Sequence, residues 1–116
     1  IEERIKLAVK IGIKYSNDFE KCITEMTDLI GTGINANESV PAVFGFLAAS
    51  GGDVMKAIYL AINAGNDSDT TGIMVGAIAG AFKGIGNIPE KHLPLLSSVN
   101  DMDIERVAKD ISEMIG

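Results

Sequence analysis

Asp67-Ser68-Asp69-Thr70-Thr71-Gly72 places two carboxylates and their hydroxyl neighbours at the mouth of an apolar segment. A carboxylate has little to gain by facing such a segment unpaired, since burial makes it neutralise or recruit a cation. Thr70 adds a neutral oxygen beside the acids. Hard divalent cations such as magnesium take this mixture of carboxylate, hydroxyl and water oxygens. The motif therefore reads as half of a metal site. A plainer reading also exists, with the aspartates as caps of a helix N-terminus. One Asp would serve for that, and two flanking Ser68 exceed the need.

Two other motifs share part of this spacing. A calcium loop would use Asp67, Asp69 and Thr71 with Gly72 in sixth place, but its twelfth position requires Glu and holds Ile78. The Asp-x-Asp-x-Thr pattern of haloacid-dehalogenase phosphatases also fits Asp67, Asp69 and Thr71. That chemistry needs an apolar strand directly before the first Asp, whereas Asp53 to Ala64 has a helical pattern.

A second candidate is Gly31-Thr32-Gly33-Ile34-Asn35-Ala36, which looks like a dinucleotide fingerprint with Ala for its third Gly. It follows a helical pattern and lacks the strand–helix–strand frame that gives the fingerprint its meaning. It is either a plain interhelical loop or one whose unshielded N–H groups approach a phosphate or ribose.

The elements that must position these residues all read as helices. Ile5, Val9 and Ile13 form the expected inward face of a first helix, with Glu2, Glu3, Arg4, Lys6 and Lys10 elsewhere on it. Ser16 or Asn17 is the expected cap of a second, with Phe19, Ile23, Met26 and Ile30 on its stripe. After a loop from Gly31 to Asn37, a third opens at Asn37 or Glu38, carries Pro41 in its first turn and runs to Ala49. A fourth starts at Gly52 or Asp53 and ends near Gly65, and a fifth runs from Asp69 to Phe82, closed by Lys83-Gly84. A short piece from Pro89 to Leu96 and an amphipathic helix from Asp103 to Ile115 complete the chain. Gly72, Gly76, Gly80 and Gly84 recur every four residues and predict close helix contact, which would make the fifth helix central. Each Gly weakens an isolated helix by about 1 kcal/mol relative to Ala, so tertiary contacts must compensate.

With 116 residues the chain is one domain at most. Apolar residues at 47% suffice for a core, which aromatics at 5% leave to aliphatic side chains. The formal charge of −6 argues against nucleic-acid binding, which needs a basic stripe. Cys22 and His92 are each alone in their type, which removes disulfide frameworks and multi-Cys or two-His metal sites and makes a reducing, cytoplasmic setting the default. Cys22 is expected in or near the core, and not as a nucleophile. The longest apolar run, Gly72 to Phe82, is about half of the ~20 residues a membrane span requires. No signal peptide is evident, and Ile1 at the start suggests a processed chain or an excised fragment.

Taken together, the segment from Gly31 to His92 resembles the ADP-ribosylglycohydrolase family. The resemblance is carried by Gly31-Thr-Gly33-Ile34-Asn-Ala-Asn-Glu38-Ser39-Val40-Pro41 and by Ala61-Ile-Asn-Ala64-Gly65-Asn66-Asp67-Ser68-Asp69-Thr70. It continues through Ala77-Ile-Ala79-Gly80-Ala81-Phe82-Lys83-Gly84 and Ile88-Pro89. This implies an all-α helical bundle and a binuclear magnesium centre that binds ADP-ribose and hydrolyses its bond to a protein side chain. By position, Asp67, Asp69 and Thr70 would be metal ligands, with Asp69 bridging. The loop would lie beside the ADP-ribose, with Gly33 and Ile34 in contact and Glu38 as cap or buttress.

The family often has Gly where Asn66 stands, and Asn tolerates the left-handed backbone nearly as well. Its remaining metal-binding Thr and Asp residues, and its catalytic carboxylate, come from an N-terminal half that this chain lacks. Residues 1–116 are thus expected to be the C-terminal portion of one larger domain, with no catalytic residue assignable within it. Alone, the chain is expected to bind magnesium weakly without turnover, and to associate with its missing half or with itself. The acceptor linkage stays open between arginine, serine, another acceptor or a small ester, with Glu38-Ser39-Val40-Pro41 leaning toward the serine and ADP-ribose-polymer branch. The alternatives are a non-catalytic or structural relative, or the phosphatase.

Overall fold

In a computed structural model, which describes the backbone of residues 1–116 and every side chain except that of Asn87, the chain forms seven α-helices in sequence. They are α1 (Glu2–Lys14), α2 (Phe19–Leu29), α3 (Ala36–Ser50), α4 (Val54–Ala64), α5 (Ser68–Lys83), α6 (His92–Val99) and α7 (Ile104–Ile115). A 3-10 turn spans Ile85–Asn87, and no strand occurs among the described residues. No helix among them is long and apolar enough to cross a membrane.

The expectation that α5 is central is not met, because α3 holds that place. Helix α3 packs against α1, α2, α4 and α5 and supplies Ala42, Val43, Phe46 and Ala49 to the core. Its closest partner is α1, where a Cβ on Gly12 would stand 2.1 Å from the Gly45 carbonyl oxygen. A Cβ on Gly45 would in turn meet the Met26 methyl at 2.3 Å. Two small residues therefore set the helix separation, and the face of α1 that follows is Ala8, Ile11 and Gly12. The expected stripe of Ile5, Val9 and Ile13 is rotated away from it. Ile5 and Val9 are half-buried and Ile13 is exposed, because close backbone approach at the small residues outweighs burying the larger ones.

Helix α5 buries Thr71, Val75 and Ala79 along one face. Only the first half of its glycine ridge meets a neighbour. Gly72 faces Ile62 and Gly76 faces Ile58, while among the described residues nothing lies within 4 Å of a Cβ built on Gly80 or Gly84. On α2, Cys22, Met26 and Ile30 are buried, with Phe19 and Ile23 packed against the core. Helices α6 and α7 contact each other and contain no buried residue.

Several helix starts differ from expectation for local reasons. Asp18, and neither Ser16 nor Asn17, caps α2, its carboxylate accepting from the Lys21 N–H at 3.1 Å. Helix α3 begins earlier, at Ala36, which puts Pro41 in its second turn. The expected piece from Pro89 starts at His92 and extends to Val99, after a turn closed by the His92 N–H on the Pro89 carbonyl.

Candidate functional site

The chain reverses between α4 and α5 through Gly65 (φ 77°) and Asn66 (φ 55°), both left-handed. Gly adopts that backbone freely and Asn tolerates it, so Asn66 preserves the turn as expected. Asp67 follows at the N-cap of α5, with Ser68, Asp69 and Thr70 in the first turn. Its side chain makes no capping hydrogen bond. By contrast Asp18, Asp53 and Asp103 occupy the same position on α2, α4 and α7 and each accepts an N–H of its own first turn.

The Asp67 carboxylate accepts instead from the Thr70 hydroxyl, at 3.0 Å. Oxygens held about 2.1 Å from a magnesium ion stand about 3 Å apart on an octahedral edge, so this pair has a fitting separation. Asp69 is exposed one residue into the helix, where a carboxylate gains from the helix N-terminus. On the inner side, the buried Thr71 hydroxyl donates to the Asp67 carbonyl at 3.1 Å and locks the turn to α5. Asp67 and Thr70 thus suit a hard cation in type and spacing, and Asp69 suits one in type. Among the described residues they gather no third acid, and no group of three or more His, Cys, Asp or Glu side chains arises.

Thr32, 1% exposed, fastens the glycine loop to this turn. Its carbonyl accepts from the Asp67 N–H at 3.3 Å and its hydroxyl from the Asn66 side-chain amide at 2.9 Å. The expected metal ligands Asp67, Asp69 and Thr70 therefore share one turn, and the expected contact residues Gly33 and Ile34 lie on the loop tied to it. Ile34 is 81% exposed, so its side chain is free to meet a ligand.

Glu38 lies beneath the loop, as a buttress should. A Cβ on Gly31 (φ 90°) would fall 2.1 Å from its Oε1, and one on Gly33 would fall 3.2 Å from its Oε2. The Asn35 side-chain amide donates to the same carboxylate at 3.4 Å. Gly31 and Gly33 thus leave room for the acid.

Arg4 and Thr32 are the site's supports that pattern reading misses. Arg4 Nε donates to the Asn37 carbonyl at 2.6 Å, and its Nη2 donates to the Ile30 carbonyl. A signal for Arg4 exists in the sequence. Proline at 41 has no N–H to return to residue 37, so that carbonyl needs another donor. Thr32 gives no comparable signal. Cys22 takes no part: burial pushes its thiol up to about 11, which keeps it a protonated core residue at neutral pH.

The helix before Asp67 removes the phosphatase alternative, since α4 stands where that chemistry requires a strand. An all-helical chain with two joined loops around an oxygen cluster is the class that remains. It belongs to the ADP-ribosylglycohydrolase family, whose model matches residues 2–116. The chain is 29% identical over 110 residues to the uncharacterized protein YegU of Escherichia coli strain K12, covering 95% of this chain and 33% of that protein. It is 33% identical over 90 residues to the ADP-ribosylhydrolase ARH3 of Homo sapiens, covering 69% of this chain and 25% of that protein. The Bos taurus ARH3 is 32% identical over the same shares. The chain thus spans a third or less of the length of these curated relatives. No solved structure matches it.

Proposed function

We propose that the protein carrying this chain is a magnesium-dependent hydrolase that removes ADP-ribose from modified protein side chains or from small ADP-ribose esters. The observation that carries the reading is the uncapped Asp67 carboxylate, paired with Thr70 on a turn joined to the Gly31–Asn35 loop. Membership of the family and similarity to proteins named ADP-ribosylhydrolase support the substrate class. A free, buried Cys22 suits a reducing, cytoplasmic setting.

Asp67, Asp69 and Thr70 would hold part of a binuclear centre. Three donor side chains leave most positions of two octahedral ions to other residues and to water. We therefore propose that the remaining donors and the catalytic carboxylate lie in other parts of a larger domain, and that this chain alone binds magnesium weakly without turnover. Magnesium bound here would supply positive charge to anchor and polarise the ribose oxygens. The chain's own residues orient the ligand. Asp67 and Asp69 present their oxygens from a turn that Thr71 anchors, and Thr32 keeps the loop in register with it. Gly33 offers a backbone N–H unshielded by a side chain, and Ile34 an exposed apolar surface, to the ADP-ribose. Cleavage at the anomeric carbon has oxocarbenium character and needs a carboxylate to manage protons. Neither Asp67 nor Asp69 is assigned that task.

The test is release of free ADP-ribose from ADP-ribosylated protein by the protein carrying this chain, with magnesium and with a chelator. Release that stops on chelation and in Asp69→Ala is expected. Release that survives both would contradict the reading.

A further inference from the structure

We infer that Arg4 is a positioning residue for the ligand loop, holding both its ends through one guanidinium. The argument rests on the reading of that loop as the ADP-ribose contact. The loop leaves α2 at Ile30, whose carbonyl is among the last of that helix and has no partner within it. It enters α3 at Ala36, and Pro41 leaves the Asn37 carbonyl without its usual helical donor. These two orphan acceptors flank the Gly31–Asn35 stretch on either side. Arg4, half-buried on α1, reaches both: Nε to Asn37 and Nη2 to Ile30. The fork of a guanidinium spans two acceptors at fixed separation, which the point charge of a lysine does not do.

Between its ends the loop has one firm point, the buried Thr32. Glu38 fills the space under Gly31 and Gly33, the Asn35 amide reaches it at 3.4 Å, and Thr32 holds the middle. Thr32 apart, the stretch consists of two glycines, an exposed Ile34 and Asn35, which pack little. Its conformation depends on where its ends are fixed, and α1, built into the core through Ala8 and Gly12, fixes them. Arg4 thereby couples the closely packed α1–α3 pair to the loop.

Arg4→Lys keeps the charge and Arg4→Met keeps the apolar stem, so together they separate the fork from charge and packing. Amide exchange is measured for residues 31–39 and, as an internal reference, for α4 and α5, in each variant and the parent form of the protein carrying this chain. ADP-ribose affinity is then measured with magnesium on the same proteins. Exchange in the loop should rise about tenfold in both variants, the scale of losing hydrogen bonds from a charged donor, while α4 and α5 stay unchanged. ADP-ribose affinity should fall by a similar factor. Unchanged loop exchange in Arg4→Met would overturn the inference. Faster loop exchange with undiminished affinity would overturn it too, leaving Arg4 a merely structural clamp. Absence of ADP-ribose binding in every protein, the parent included, would contradict the reading of the loop's ligand, and the exchange comparison would still decide whether Arg4 sets its conformation.

Discussion

The starts of α4 and α5 use the same residue type in the same position to different ends. Asp53 accepts the Lys56 N–H at 3.0 Å and does what an N-cap aspartate ordinarily does. Asp67 has a twisted backbone (φ −84°, ψ 52°), makes no capping bond and turns its carboxylate to the Thr70 hydroxyl. Asp53 follows a glycine turn at the end of α3, held by local bonds to Ser50 and Leu47. Asp67 follows a turn tied across 34 residues to Thr32. One aspartate serves its helix, and the other is held by a distant loop with its oxygens turned to a neighbouring side chain. A helix start that forgoes its side-chain cap gives up about 1 kcal/mol, and under the proposed function the Asp67 carboxylate would serve a cation instead.

The comparison breaks if the two aspartates behave alike when removed. Asp67→Ala and Asp69→Ala should each weaken magnesium-dependent ADP-ribose binding by about a hundredfold, the scale of ~3 kcal/mol for a lost charge pairing. Their melting temperatures should stay close to the parent's. Thr70→Val should weaken the same binding by about tenfold, with recovery in Thr70→Ser, because only the hydroxyl oxygen is at issue. Asp53→Ala should show the opposite signature. Denaturant unfolding should register a loss of about 1 kcal/mol, while titration with ADP-ribose finds its affinity unchanged.

A control lies away from both helix starts. Burial pushes the Cys22 thiol from 9.0 in its unperturbed state up to about 11, so the folded chain holds this proton more tightly than the unfolded one. That contribution to stability is complete below pH 9, is lost as pH rises toward 11, and should be missing in Cys22→Ala. Unfolding curves from pH 8 to 11 on both proteins check it.

Much of the helical order was legible in the residues. Asp53, Gly65, Lys83-Gly84 and Asp103 mark helix ends through local chemistry, and the structure puts ends at or next to them. The facing of the helices was harder to read. In α1 the large residues suggested Ile5, Val9 and Ile13, but contact is set where Gly12 meets Gly45, a fact belonging to two helices at once. The glycine ridge of α5 was met only in part, by α4 at Gly72 and Gly76, since spacing tells where a helix can approach and not whether one does. Within the site, Asp67, Asp69 and Thr70 are near neighbours in sequence and were found by type. Thr32 stands 34 residues from Asn66, and Arg4 33 residues from Asn37, so their roles appear only when the helices pack. Pro41 was the one local hint, an acceptor left open without naming its donor.

The central claim is that Asp67 is kept free for a cation that holds ADP-ribose. Calorimetric titration of ADP-ribose into the parent, Asp53→Ala and Asp67→Ala proteins, with magnesium and after chelation, tests it most directly. The account predicts magnesium-dependent binding in the parent and in Asp53→Ala, and binding about a hundredfold weaker in Asp67→Ala. Equal binding by Asp67→Ala and the parent would contradict it, and would make the acidic turn a helix start and nothing more.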